Sequence, residues 1–158
     1  MNSTESDIQF MEQALSLARA AAVRNEVPVG AILTLNNRLI AEGMNSPITR
    51  CDPTAHAEII ALRNGAAQLG NYRIPGTTLY VTLEPCIMCM GAIIHARVER
   101  LVFGAYDPKT GAAVSRYTIG RDQLLNHHLE ISGGICETQS AALLQNFFKE
   151  RRKKNRPK

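Results

Sequence analysis

Between residues 54 and 105 two hydrophobic patterns alternate, and this alternation narrows the possible folds more than any other feature. Residues 54–68 place Ile59, Ile60 and Leu62 on the buried side of a helix. Residues 77–83 (TTLYVTL) are β-branched and aromatic, the composition of a strand. Pro85 then opens a short helix to about His95, because proline suits the first helical position. Residues 101–105 read as a second strand. That order implies helices packed on both faces of a mixed sheet, a three-layer α/β/α fold.

The flanking segments add to this pattern. Ser6-Asp7-Ile8-Gln9 fits a capping box, with Ser6 as the N-cap and Gln9 reaching back. Ile8, Met11, Leu15 and Ala18 then repeat at helical spacing to about Arg24. Residues 27–35 (VPVGAILTL) and 38–42 (RLIAE) flank Asn36-Asn37, which predicts a β-hairpin. Residues 44–53 read as loop, and Thr54 as the cap of the helix that follows. Residues 106–127 are expected to be loop with one short helix, and 129–132 a last strand. Residues 141–152 form an amphipathic helix with Leu143, Leu144, Phe147 and Phe148 on one side. No repeat or domain-sized linker divides residues 1–158, so a single domain is expected.

No run of about 18 apolar residues occurs, so no membrane partner is expected. Residues 1–7 are polar and acidic and lack the pattern of a secretory signal, which predicts a cytoplasmic protein. The net charge of +4 is unevenly placed. Residues 149–158 hold seven Lys or Arg and one Glu, leaving 11 basic and 13 acidic groups elsewhere. A basic tail on a slightly acidic body implies an anionic partner: nucleic acid, anionic lipid or an acidic protein. A merely solvated terminus and a nuclear import signal are the competing readings.

Four cysteines in 158 residues are too few for a disulfide scaffold. Cys86 and Cys89, three apart at the start of a helix, share one face and can bring both sulfurs to one point. The helix N-terminus favours the thiolates that bind metal. Taken alone, this CxxC pair also fits redox chemistry or half of a structural zinc site. His56 and Glu58 open the preceding helix, at the same edge of the sheet, where open α/β sheets gather ligands. One imidazole and two thiolates, with a fourth position left to water, are the catalytic zinc arrangement. Zinc with two thiolates is formally neutral and acidifies its water less than three neutral histidines would, so Glu58 is the candidate to take that proton and return it. A closed structural site would need a fourth ligand from Cys51, Cys136, His95, His127 or His128, none closely spaced to the others. Cys51 and Cys136 read as free thiols, and His95 as the partner of a backbone carbonyl.

HAE at 56–58 and PCIMC at 85–89 resemble the signature of the zinc nucleoside and nucleobase deaminases. The two motifs by themselves do not separate a free-base or nucleoside deaminase from one acting on RNA. A zinc-stabilised nucleic-acid-binding module without catalysis is a third reading. EVPVGAI at 26–32, Asn45 ahead of DPTAHAEI, LYVTLEPCIMCMGAI at 79–93, FGAYDPKTGAAVS at 103–115 and AALLQNFF at 141–148 are similar to the tRNA adenosine deaminases of bacteria. The resemblance implies a cytidine-deaminase-like fold with a mixed five-stranded sheet, working as a homodimer. It implies hydrolytic deamination of adenosine to inosine at the wobble position of a tRNA anticodon stem-loop. His56, Cys86 and Cys89 would hold one Zn²⁺ per subunit, Glu58 would shuttle protons, and hydroxide generated at zinc would attack the ring carbon so that ammonia leaves. Asn45 and Asp107 would contact the target nucleoside and its ribose–phosphate. Without the resemblance both would be read as turn residues before prolines. Phe148 is the candidate to stack on a splayed base, and Arg151, Arg152, Lys153 and Lys154 to lie along RNA phosphates.

Overall fold

A computed structural model describes residues 3–157. The elements are α1 (Ser3–Val23), β1 (Gly30–Leu35), β2 (Arg38–Met44), α2 (Pro47–Arg50), α3 (Ala57–Leu69), β3 (Thr77–Leu83), α4 (Ile87–His95), β4 (Arg100–Ala105), β5 (Glu130–Gly133) and α5 (Glu137–Lys154). The five strands form one mixed sheet in the order β2-β1-β3-β4-β5. β1 is antiparallel to β2 and β3, whereas β3, β4 and β5 run parallel. Asn36 and Asn37 close the β1–β2 hairpin with φ of 51° and 56°, a conformation asparagine tolerates.

Strand periodicity divides the core in two. Leu33, Leu79, Val81, Leu101 and Phe103 point to one face, where Ala57, Ala61 and Leu62 of α3 and Met90 and Ile93 of α4 cover them. Ile32, Tyr80 and Val102, each one residue out of phase, point to the other face against Phe10, Met11 and Ala14 of α1. Two glycines let helices sit directly on strands. A Cβ at Gly30 would run into the backbone of α1 at Ala14, and one at Gly43 into α3 at Ala57. Under α1, the buried Asp7 carboxylate accepts both terminal guanidinium nitrogens of Arg100 at 2.7 Å and the Tyr80 hydroxyl at 2.9 Å.

Five local expectations are corrected. Ser6 does not cap α1: the helix already runs from Ser3, and Ser6 and Asp7 are buried within it. Docking on the sheet carries the helix past the local capping signal. Thr54 does not cap α3, and Pro85 is not inside α4. His56 and Cys86 occupy those N-cap positions with extended backbone. The segment read as loop before α3 contains α2, started by Pro47. Residues 106–127 contain no helix.

α3 leads into β3 and α4 leaves it, so both N-termini meet at the carboxyl end of that strand. The start of β1 lies at the same edge, where the Gly30 amide donates to Thr82 Oγ1 at 3.2 Å. α5 begins beside the end of β4, where Ser140 packs on Gly104, and later packs against α1. Its last turns share a cleft with Ala22 and Asn25, where α1 leads toward β1. The basic end of α5 therefore reaches the edge that holds the N-termini of α3 and α4.

Candidate active site

At that edge His56 Nδ1 stands 3.7 Å from Cys86 Sγ and 3.5 Å from Cys89 Sγ. Two ligands on a tetrahedral zinc, with Zn–N and Zn–S near 2.0 and 2.3 Å, lie roughly 3.6 Å apart. The three side chains therefore fit that ion in their present positions. Among the described residues they are the one group of three whose metal-binding atoms all lie within 4.8 Å of one another. Cys51 and Cys136 are free thiols elsewhere. His95 is exposed at the end of α4, and it is His127 whose Nε2 meets a backbone carbonyl, that of Val98 at 2.6 Å. Three donors, with no fourth protein ligand among the described residues, match a catalytic site that keeps one position open.

The backbone prepares this cluster electrostatically. His56 and Cys86 are N-cap residues whose side chains make no capping hydrogen bond, so both remain available to a metal. The partial positive charge of two helix ends converges on the sulfurs. Cys86 falls to about 4 because it accepts a hydrogen bond from Cys89 and, against the cost of burial, is stabilised by His56. Cys89 is pushed up by sharing that proton and by burial. His56 is raised chiefly by its contact with Cys86.

Glu58, in the first turn of α3, is buried and lies against Cys89. Burial pushes its carboxyl up to about 7, partly offset by a backbone amide and by His56. The group can therefore hold or release a proton near neutrality. It faces a cavity of about 230 Å³ lined also by Val29, Asn45, His56, Cys86, Asp107 and Thr110.

Asn45 is buried, and its Oδ1 accepts the Ala57 amide at 2.8 Å. Asp107 lines the same cavity half-buried. Its Oδ1 accepts the Lys109 and Thr110 amides at 3.0 and 3.1 Å, and its Oδ2 the Thr110 hydroxyl at 2.7 Å. It is thus a turn residue and a wall residue together. Phe148 is 40% exposed and lines a separate cavity with Arg151 and Arg152. Arg151 lies 5.6 Å over the Phe147 ring, and Lys153 pairs with Glu150 at 3.1 Å.

Two buried carboxylates escaped the sequence reading. Glu26 accepts the Thr49 amide and hydroxyl at 2.7 and 2.8 Å and so pins α2. Glu84 accepts three amides and a hydroxyl from residues 107–115. The only signal for either was a carboxylate next to an apolar run, which does not name its partners.

Residues 4–105 match the family model of the cytidine and deoxycytidylate deaminase zinc-binding region. A tRNA-specific adenosine deaminase of Haemophilus influenzae is 51% identical over 154 residues, covering 97% of this chain and 89% of that protein. One from Buchnera aphidicola subsp. Baizongia pistaciae is 49% identical over 153 residues, covering 94% and 92%. A solved structure from studies of A-to-I editing by tRNA:A34 deaminases superposes with a TM-score of 0.83 at 46% identity, covering 86% of this chain and 99% of the other.

Proposed function

The chain belongs to the cytidine and deoxycytidylate deaminase zinc-binding family, and from that premise we infer that it is a hydrolytic tRNA adenosine deaminase, converting adenosine to inosine at the wobble position of the anticodon. The observation that carries the chemistry is the convergence of His56, Cys86 and Cys89 beside a buried glutamate on the floor of one cavity. His56, Cys86 and Cys89 would hold the zinc. Bound there, the ion would supply the Lewis acidity that makes water nucleophilic near neutral pH. Glu58 is the protein group placed to carry the two protons of the attacking water in turn, the first to the purine ring nitrogen and the second, from the hydroxyl left on the ring carbon, to the departing amine. The balance is adenosine plus water to inosine plus ammonia.

The rest of the cavity binds and orients. With Oδ1 engaged by the Ala57 amide, Asn45 has its NH₂ group to donate to a base or sugar acceptor. The Asp107 carboxylate keeps acceptor capacity for a 2′-hydroxyl, the group that separates RNA from DNA. Phe148 stacks on a neighbouring splayed base, and Arg151, Arg152, Lys153 and Lys154 follow the phosphates of the stem-loop. An anticodon loop presents its bases unpaired, so flipping the target out costs less than from a duplex. The protein works as a cytoplasmic homodimer. Ile48 and Ile87, 59% and 51% exposed, supply apolar surface for that pairing, and no helix among the described residues is long and apolar enough to cross a membrane.

The test is an assay for inosine in a synthetic anticodon stem-loop carrying adenosine at the wobble position, with free adenosine, cytidine and guanine in parallel. Product in the stem-loop alone is expected. Turnover of a free base alone would overturn the RNA assignment and keep the zinc chemistry.

A further inference from the structure

We propose that Glu84 is a positioning residue: its buried carboxylate folds residues 107–115 into a preformed wall of the substrate cavity and so sets how tightly RNA is held there. This rests on the RNA-substrate reading above. Glu84 follows the last residue of β3 and is 2% exposed. A buried carboxylate must be satisfied by donors. Its partners are not cations: Oε2 accepts the Asp107 amide at 2.9 Å and the Ser115 hydroxyl, and Oε1 accepts the Val114 and Ser115 amides, both at 2.8 Å. All four donors come from the two ends of one loop, so the loop closes as a ring around a single side chain.

The interior of the ring is equally constrained. A Cβ at Gly111 would collide with the Glu84 carboxyl and the Asp107 carbonyl. The Gly111 amide donates to that carbonyl at 2.9 Å, and the Ala112 amide to the Pro85 carbonyl at 2.8 Å. Asp107 and Thr110, carried by this loop, face the cavity. The Glu84 carboxylate thus fixes the backbone whose side chains meet the substrate. Holding that loop ordered before binding removes the entropy cost of ordering it on binding. Glutamine is the discriminating replacement, because it keeps the size but turns an NH₂ group toward amide donors.

The test uses the zinc-loaded E84Q protein, with S115A as a milder variant that removes one donor. Both are expected to keep one zinc per chain. Amide hydrogen exchange over 107–115 should quicken about tenfold in E84Q, and KM for the stem-loop should rise about tenfold with kcat nearly unchanged. S115A should shift both in the same direction by about threefold. Adding D107N should raise KM several-fold in the native protein and less than about twofold in E84Q, because the two act through one loop. Unchanged exchange over 107–115, or a fall in kcat with KM constant, would overturn the proposal. A native protein inert toward the stem-loop would instead sink the RNA reading, and the exchange measurement would then decide for or against the anchor by itself.

Discussion

The side-chain oxygen of Asn45 accepts the backbone amide of Ala57 at 2.8 Å, tying the loop after β2 to the first turn of the helix that carries Glu58. One amide side chain thereby satisfies an amide at a buried helix end, with its NH₂ group left over in a residue that lines the cavity. Asn45→Asp keeps the acceptor and loses the donor. It should retain fold and zinc while kcat/KM falls about 10- to 100-fold. Asn45→Ala should add a loss of about 1 kcal/mol in stability, read by denaturant unfolding.

Glu58→Gln removes the proton carrier without removing a metal ligand. The expected outcome is full zinc occupancy by elemental analysis with turnover reduced about 10³-fold. Near-normal rates in this variant would show that another group moves the protons.

Asp7 is an ion-pair partner buried under α1, with 6% of its side chain exposed against 21% for Arg100. Asp7→Ala should cost about 3 kcal/mol, since it takes the acceptor from the Tyr80 hydroxyl and the two shortest hydrogen bonds from Arg100, which keeps only Glu130 at 3.1 Å and Ser132 at 3.3 Å. Tyr80→Phe should cost only about 1 kcal/mol. Urea unfolding of the two variants measures the difference, and the reverse ranking would refute this account.

The same network predicts the alkaline limit of stability. Burial, and then the hydrogen bond to Asp7, push the Tyr80 phenol well above its ordinary value of 10.0. The native state keeps a proton that the unfolded chain releases. The stabilisation is complete below about pH 10 and is lost as pH rises above it. Absorbance titration of the four tyrosines should show Tyr80 silent until the protein unfolds, and Tyr80→Phe should flatten the alkaline fall in stability.

The basic end of α5 is open to a salt test. If Arg151, Arg152, Lys153 and Lys154 each neutralise one phosphate, replacing all four by alanine should lower the slope of log affinity against log salt by about 3. Phe148→Ala should raise KM about tenfold with no change in slope, because stacking carries no charge. An unchanged slope in the four-alanine variant would remove the helix from the RNA-binding surface.

Local chemistry was enough to read much of this protein. The β-branched run at 77–83 is β3 to the residue, and Asn36-Asn37 is the hairpin turn, because both depend on neighbours in the chain. The donors His56, Cys86 and Cys89 were legible because metal binding demands particular atoms at short spacing. Cap positions were less legible. Ser6 and Thr54 carry good capping side chains, yet α1 already runs through Ser6, and His56 instead of Thr54 stands at the N-cap of α3.

What the amino-acid order determined alone was the five strands, the four longer helices and the reactive atoms, all governed by contacts within a few residues, whereas α2 and the helix-free path of 106–127 were not legible in it. Tertiary structure decided the rest: that two helix N-termini meet at the end of β3, that Asn45 spends its oxygen on Ala57, and that Glu84 holds residues 107–115 from 23 to 31 positions away. A buried carboxylate must be satisfied, but which amides satisfy it depends on where the sheet brings the chain back. That is set by the packing of the whole core and not by any local signal.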